Sequence, residues 1–440
     1  MSRFEDAIAA DEADRALECL RHFDCLIFAV SGGPDSLALL YLAAEWRVRL
    51  APNAPRIYAA TVDHQLRPEA AAEAEAVAGH CAKLGIAHVT LTWVGPKPGS
   101  GLPDAARRAR YHLLEAHART MQPAGRTAVV TAHTEDDQAE TIIMRLKRGA
   151  GVDGLAAMRF DRELTRGSPV RLVRPLLSTR KARLVATLQA RAVAWFDDPT
   201  NSNVRYERTR VRTVMPALEA AGLTAASLVL SARRLRDASD GLSYAAIQFR
   251  DTLSLSSNNG VYGRFERKTF EAGPAIVRQH VLADLIGHFG GDSPKAELSE
   301  IEALTSRLAA NATVTATLGG AVVSAGERFV RVWRETGRLS VADLILEPGL
   351  KQSWDARFWV SYYGQSQLPV CVKALGREGY AQIAELVAAP HRAPAAAAYG
   401  VPAFWTGERL VAVPALAVVT GNGPHIHVES EPIRDEMARR

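Results

Sequence analysis

The residues best suited to chemistry in this sequence form a six-residue loop, Ser31-Gly32-Gly33-Pro34-Asp35-Ser36. It lies directly behind the apolar run Leu26-Ile27-Phe28-Ala29-Val30, which reads as a buried parallel strand. Leu37, Leu40 and Tyr41 follow at helical spacing, so the loop is a strand-to-helix turn. Gly32 and Gly33 permit close backbone approach or positive φ, and Pro34 suits a first helical turn. Ser31 and Ser36 add hydroxyls, and the helix start presents unpaired N–H groups to an anion. A loop built this way is a phosphate cradle. It is not a Walker loop, because no Gly-Lys-Ser/Thr follows.

A second group, His133-Thr134-Glu135-Asp136-Asp137-Gln138-Ala139-Glu140-Thr141, opens a helix. At helical spacing His133, Asp137, Glu140 and Thr141 share one polar stripe. Ala139, Ile142, Ile143 and Leu146 occupy another, expected to pack on a sheet. Helix capping accounts for Glu135 and Asp136, but not for His133 together with Glu140. Two basic stripes complete the set: Arg107, Arg110, Tyr111 and Leu114 on one helix, and Arg205, Arg208 and Arg212 on another. Arginine suits bidentate phosphate contact, and Tyr111 is a candidate for stacking on a base. Gly149-Ala150-Gly151-Val152-Asp153-Gly154 has the spacing of a dinucleotide fingerprint but follows a helix instead of a strand, so it reads as a flexible basic loop.

The elements that must position these groups alternate. Strands are expected at Arg56–Val62, His88–Val94, Thr127–Thr131 and Val170–Leu177, with helices between them. That order predicts an α/β fold, a doubly wound parallel sheet with ligands at the carboxyl ends of its strands. The phosphate loop, Asp63-His64 and His133 all fall at such ends and converge on one crevice. Beyond Met215-Pro216 the alternation stops. Residues 1–216 are expected to form this catalytic domain, 217–337 a mostly helical middle domain and 338–440 a strand-rich, α+β C-terminal domain. Helices are expected at Ala225–Leu253 and Ala275–Phe289, then a hairpin over Thr313–Trp333 turning at Gly319-Gly320 or at Gly326.

Composition sets outer limits. The 440 residues are 48% hydrophobic and 23% charged, ordinary for globular protein. No apolar run approaches the length of a membrane span, and the N-terminus lacks the basic-then-apolar order of a secretory signal, so a cytoplasmic protein is expected. The four cysteines (Cys19, Cys25, Cys81, Cys371) are scattered and read as structural thiols. The net charge of +5 is uneven: residues 151–215 carry 13 Lys/Arg against 6 Asp/Glu, which points to a polyanionic partner.

The phosphate loop resembles the SGGxDS loop of PP-loop ATP pyrophosphatases, enzymes that split ATP into AMP and pyrophosphate. In those enzymes an aspartate at the place of Asp35 lies beside the phosphates and serves as a Mg²⁺ ligand. The wider set of motifs resembles the tRNA(Ile)-lysidine synthetase family. The matching pieces include Asp63-His64-Gln65-Leu66-Arg67-Pro68, Arg107-Arg108-Ala109-Arg110-Tyr111, His133-x-x-Asp136-Asp137-Gln138-Ala139-Glu140-Thr141, Arg174-Pro175-Leu176-Leu177 and Asp198-Pro199-Thr200-Asn201. Gln65 stands where that family usually has Gly, and Thr209 where Asn is common. In residues 338–440 only Leu375-Gly376-Arg377-Glu378-Gly379 and Leu410–Pro414 echo its signature.

The resemblance implies ATP and Mg²⁺ as cofactors, with L-lysine and a tRNA(Ile) bearing a CAU anticodon as substrates; a homodimer is compatible with it. Ser31, Gly32, Gly33, Pro34, Asp35, Ser36 and Asp63 would hold ATP, with Asp35 on the metal. Asp35, His133, Asp137, Glu140 and Arg208 would be catalytic, and Arg107, Arg110, Tyr111, Arg205 and Arg212 would meet the tRNA. Two alternatives use the same features. A tRNA thiolase of the superfamily needs a sulfur-bearing cysteine near the crevice or a C-x-x-C cluster, and a non-catalytic RNA-binding protein should have lost Asp35 or the His133–Glu140 stripe.

Overall fold

The computed structural model describes residues 6–432 apart from 68, 100, 122–124, 166–167, 197–206, 311–312, 338–340, 365, 367 and 421–425. The chain packs as two compact units, Met1–Ser239 and Asp240–Arg440. The first runs α1 (Ala10–Leu17), β1 (Cys25–Ala29), α2 (Pro34–Leu50), β2 (Arg56–Asp63), α3 (Ala70–Lys83), β3 (Ala87–Thr92), α4 (Leu102–Thr120), β4 (Thr127–Val130), α5 (Glu135–Lys147), α6 (Val152–Leu155), β5 (Asp161–Glu163), β6 (Arg171–Val173), α7 (Lys181–Ala190), α8 (Glu207–Ala220) and the start of α9 (Ala225–Thr252).

The sheet order is β3-β2-β1-β4-β6-β5. Strands β1, β2, β3, β4 and β6 are mutually parallel, and β5 adds an antiparallel edge. Strand β1 shows why the run is apolar throughout. Leu26, Phe28 and Val30 enter the core that holds Leu37, Trp46, Leu184 and Leu188. Cys25 and Ile27 point to the opposite face, onto Tyr111, Leu114 and Ala118 of α4. A strand covered on both sides has no solvent face to mark with polar residues. The chain steps outward from β1 to β2 and β3, then returns to place β4 on β1's other side. The loops after β1 and β4 open at that reversal, where α/β sheets bind ligands.

Three expectations need correction. The strand at Val170–Leu177 is only Arg171–Val173; Pro175 has no N–H for a ladder and restricts the residue before it. Ala139 and Ile142 do not pack on the sheet. They form a separate core with Ala225, Leu228 and Ala232 of α9, so residues 217–239 pack with the first unit. The Gly149–Gly154 segment, expected as a flexible basic loop, is partly helical. It is a turn leading into the single turn of α6, and Arg145 Nη1 pins it by donating to the Gly154 carbonyl at 2.5 Å and the Ala157 carbonyl at 3.0 Å.

The second unit contains β7 (Ser256–Ser257), β8 (Tyr262–Glu266), α10 (Arg267–Glu271), α11 (Ala275–Gly290), α12 (Leu298–Ala310), β9 (Val314–Leu318), β10 (Ala321–Ala325) and β11 (Phe329–Arg334). The expected hairpin is a three-strand meander that uses both proposed turns, Gly319-Gly320 and Gly326. Beyond it lie two more sheets, of five and three strands, that share a second hydrophobic core including Phe358, Val372 and Phe404.

The docking of α9 on α5 has a measurable consequence. Ile142→Ala opens a cavity between them and is expected to cost about 2–5 kcal/mol. Urea unfolding followed by α/β-unit fluorescence checks this, and a loss below about 1 kcal/mol would show that the contact is not a packed core.

Candidate active site

The phosphate loop is braced from within. Gly32 has φ +83°, in the left-handed region, and a Cβ there would meet Val77 Cγ2 at 3.4 Å and Phe196 Cδ2 at 3.6 Å. The Gly32 carbonyl accepts from the Phe196 N–H at 3.1 Å. Ser36 Oγ donates to the Gly33 carbonyl at 3.0 Å and accepts from the Ser31 N–H at 3.2 Å. The Ser36 hydroxyl therefore shapes the loop, while Ser31 stays exposed at its mouth. Pro34 and Asp35 open α2, with Gly33 as its N-cap.

Asp35 is partly buried, and its Oδ1 is enclosed without a hydrogen-bond partner. Its Oδ2 lies 3.2 Å from Lys181 Nζ. Burial raises the carboxyl's pKa above the ordinary value, with Lys181 opposing the shift and Asp137 adding to it. No sequence motif singles out Lys181. It opens α7 after β6, at the carboxyl end of the sheet, and its backbone N–H donates to Asp136 Oδ2 at 2.7 Å. Position after a strand was the one available signal, because nothing in its spacing links it to Asp35.

The β4–α5 corner gathers the second group. Asp137, more than Glu135 or Asp136, does the capping: its Oδ2 accepts from the Thr134 N–H at 2.9 Å and from Thr134 Oγ1 at 3.0 Å. Burial works against its charge, but Arg208, His133 and the Thr134 donors hold its pKa below the usual carboxylate value. Glu140 is 3% exposed. Arg212 Nε donates to Glu140 Oε1 at 2.5 Å, and Arg208 Nε lies 3.0 Å from Oε2. Burial nonetheless raises the Glu140 pKa. The polar stripe thus converges as its spacing implied, but Glu140 is held by two arginines. An ammonium could reach it only by exchange with a guanidinium.

His133 shares a hydrogen bond with Thr131 Oγ1, 3.0 Å from its Nδ1. Burial drives its pKa down to about 3, helped by the charge of Arg174. A ring kept neutral to that pH is a hydrogen-bonding group and a weak base. His64, at the end of β2, is similar: burial lowers its pKa to about 4, with Arg110 contributing, and its Nδ1 is buried without a partner. Its ring meets Trp93 edge-on at 5.8 Å. Asp63 Oδ1 accepts from the Gln65 N–H at 2.8 Å. Gln65 has φ +52°, a left-handed conformation that suits the glycine usual at this place.

The basic residues divide. Arg171, Arg183 and Arg191 pair with Asp161, Glu12 and Glu45, and Arg180 lies near Asp136 and Glu219. Much of the positive excess in 151–215 therefore braces the domain. Tyr111 is 8% exposed within the sheet core, so it is not free to stack on a base. The guanidiniums of Arg107 and Arg162 lie 5.2 and 5.6 Å from its ring. Burial would raise the Tyr111 pKa, but Arg107, Arg174, Arg162 and Arg110 hold it lower. Arg107 and Arg110 remain exposed. Arg205 lies outside the described residues, as does Asp198-Pro199-Thr200-Asn201.

The residues present fit a Mg²⁺ ion shared with phosphates. Asp35 offers an enclosed, unpartnered carboxylate oxygen, and no group of three metal-ligating side chains occurs among the described residues. Magnesium in nucleotide sites commonly takes one or two carboxylates and fills its shell with phosphate oxygens and water.

A parallel sheet with a glycine-rich, lysine-free phosphate loop at its reversal point defines a PP-loop nucleotide-binding domain, and residues 6–218 match the PP-loop domain family. The tRNA(Ile)-lysidine synthase of Bradyrhizobium sp. (strain BTAi1) is 43% identical over 344 residues, 74% of this chain and 94% of that protein. That of Rhodopseudomonas palustris is 44% identical over 342 residues, covering 74% and 95%. That of Ruegeria pomeroyi is 36% identical and covers 89% of both chains. The chain belongs to the tRNA(Ile)-lysidine synthase family. Among solved structures, the U34-tRNA thiolase NcsA from Methanococcus maripaludis overlaps 51% of this chain and 77% of its own at TM-score 0.44 and 18% identity, a likeness too slight to inform the chemistry.

The depressed His133 pKa predicts a pH effect of definite sign. The unfolded chain protonates this ring near 6.5, whereas the folded chain resists protonation down to about 3. The unfolded state therefore binds more protons below about pH 6.5, and stability falls as the pH falls. His133→Asn lacks this contribution. The melting-temperature gap between wild type and variant should narrow from about pH 7.5 to about pH 5, and a constant gap would refute the assignment.

Proposed function

We propose that this chain uses ATP to join L-lysine to C2 of the wobble cytidine of a tRNA(Ile) with a CAU anticodon, through an adenylated cytidine. Membership of the lysidine synthase family supports the reaction class. The observation that carries the site is the meeting of the phosphate loop and Asp35 with Asp137, Glu140, Arg208 and Arg212 at one sheet reversal. An exposed, single-stranded wobble base can be splayed into such a crevice at modest cost.

The cytosine O2 is a poor leaving group, so direct attack by an amine at C2 is slow. In the first step O2 bonds to the α-phosphorus of ATP, the bond to the bridging oxygen breaks, and pyrophosphate keeps the electron pair. The loop N–H groups hold the phosphates, and Asp35 is the residue that would hold Mg²⁺. That ion, when bound, neutralises phosphate charge. In the second step the amine attacks C2 and AMP departs with the former O2. Splitting one hard displacement into two follows the logic of covalent activation.

The amine must lose a proton, and its reference pKa is about 10.4. His133 and Asp137, both shifted downward, are poor acceptors. Glu140 is better suited, since burial already raises its pKa. Phosphate entering the crevice competes with Glu140 for Arg208 and Arg212, and a carboxylate that loses its cations gains proton affinity. Nucleotide binding would in this way ready Glu140 for the amine.

A sulfur-transfer reading fits these residues less well. It needs a reactive thiolate, whereas burial raises the thiol pKa at Cys19 to about 12 and at Cys81 to about 11, and raises those of Cys25 and Cys371 as well. No single described helix is long and apolar enough to cross a membrane.

The test is incubation with ATP, Mg²⁺, tRNA(Ile) and each labelled amino acid, followed by digestion and weighing of nucleosides. Cytidine heavier by one lysine less one water is the expected product, and incorporation of sulfur or of no amino acid overturns the reading. Asp35→Ala should abolish pyrophosphate release in a folded protein. Glu140→Gln should lower lysine joining by roughly 10²-fold or more while AMP transfer stays within about tenfold. Equal loss of both steps would reduce Glu140 to an anchor for the two arginines.

A further inference from the structure

The contact between Lys181 and Asp35 joins the start of α7 to the phosphate loop and plays no part in the steps above. We propose that Lys181 is a phosphate-binding residue of the crevice, its ammonium contacting the β- and γ-phosphates of ATP and stabilising pyrophosphate as it leaves. This rests on the PP-loop reading and adds a residue to it.

Four observations carry the assignment. The loop Ser31–Ser36 contains no cation of its own, so a polyphosphate seated on it must draw positive charge from another element. Lys181 Nζ is 3.2 Å from Asp35 Oδ2, at the N-terminal turn of α2. The Lys181 backbone is fixed by the bond from its N–H to Asp136 Oδ2 at 2.7 Å, and α7 is anchored by buried Leu184 and Leu188. Its side chain keeps 39% of its surface exposed, against 22% for Asp35, so the ammonium can move to an incoming anion without leaving a packed core.

Asp35 has two oxygens with different surroundings. One meets Lys181, and the other is enclosed and unpartnered. That division allows lysine and metal to act on the same polyphosphate from neighbouring positions. Lysine is a compact charge on a flexible stem, suited to following phosphate oxygens as bonds change. In the adenylation step the O2–Pα bond forms and the bridging Pα–O bond breaks. The electron pair settles on pyrophosphate beside the Lys181 ammonium, and the step transfers no proton.

The variants are Lys181→Met, which keeps the stem, and Lys181→Arg, which keeps the charge; the backbone bond to Asp136 survives in both. Pyrophosphate and ATP affinities are measured by calorimetry in magnesium-free buffer, and AMP transfer to tRNA by steady-state kinetics with Mg²⁺. Lys181→Met is expected to weaken pyrophosphate binding roughly tenfold and to slow AMP transfer on the order of 10²-fold, with Lys181→Arg recovering most of the binding. Unchanged or tighter pyrophosphate binding in Lys181→Met overturns the proposal and leaves Lys181 as a counter-ion for Asp35. A wild-type protein that binds pyrophosphate through Lys181 yet never adenylates tRNA would refute the ligase reading while leaving the phosphate site standing.

Discussion

A carboxylate carried from water into a protein interior loses several kcal/mol of hydration, in rough terms, unless cations and donors replace it. Glu140 is in that position, with 3% of its surface exposed. Arg212 and Arg208 supply the replacement, at 2.5 and 3.0 Å. Because the two arginines stand one helical turn apart on α8, the pairing fixes both the rotation and the height of α8 against α5. The apolar side of the same junction, Ala139 and Ile142 against α9, is nondirectional and could not set that register alone. The polar side specifies and the apolar side stabilises.

The same corner shows why neighbouring acids behave differently. Asp137 sits on the first turn of α5, where Thr134 donates to it twice and Arg208 is near, so its charge is favoured. Glu140 is a turn deeper and Asp35 is across the crevice, and for both burial outweighs their cations. Three carboxylates in one cleft thus differ in proton affinity because of depth and donors, not because of residue type. Carboxylates whose surroundings push their pKa values apart can take different acid–base roles in one cleft.

Much of this was legible in the sequence, for identifiable reasons. The phosphate loop is local: a strand, two glycines, a proline and a helix start determine its shape within a dozen or so residues. The polar stripe of α5 follows from helical periodicity. What could not be read was partnership between distant segments. The stripe of Ala139 and Ile142 looks the same whether it meets a sheet or α9, because periodicity reports that a face is buried and not what buries it. Tyr111 beside Arg107 suggests a nucleic-acid surface until the fold buries it in one cluster with Ile27 and Leu114. Glu12 and Glu45 lie far in sequence from Arg183 and Arg191, so counting charge over 151–215 alone overstated what is free for RNA. Arg205 remains a sequence expectation only.

Lys181 marks the limit of motif reading more sharply. A Walker loop carries its lysine within the motif, so that local sequence reports the whole cradle. Here the loop holds hydroxyls, N–H groups and one carboxylate, and the cation nearest to that carboxylate comes from a helix that follows the fifth parallel strand. The parallel strands make this division workable, because each of them delivers its next helix start to the same edge. A residue at any of those starts can reach the reversal point whatever its place in the chain. The chemistry of the crevice is therefore distributed: the starts of α2, α5 and α7 come to it because each follows a parallel strand, and α8 joins them through the ion pairs of Arg208 and Arg212 with Glu140.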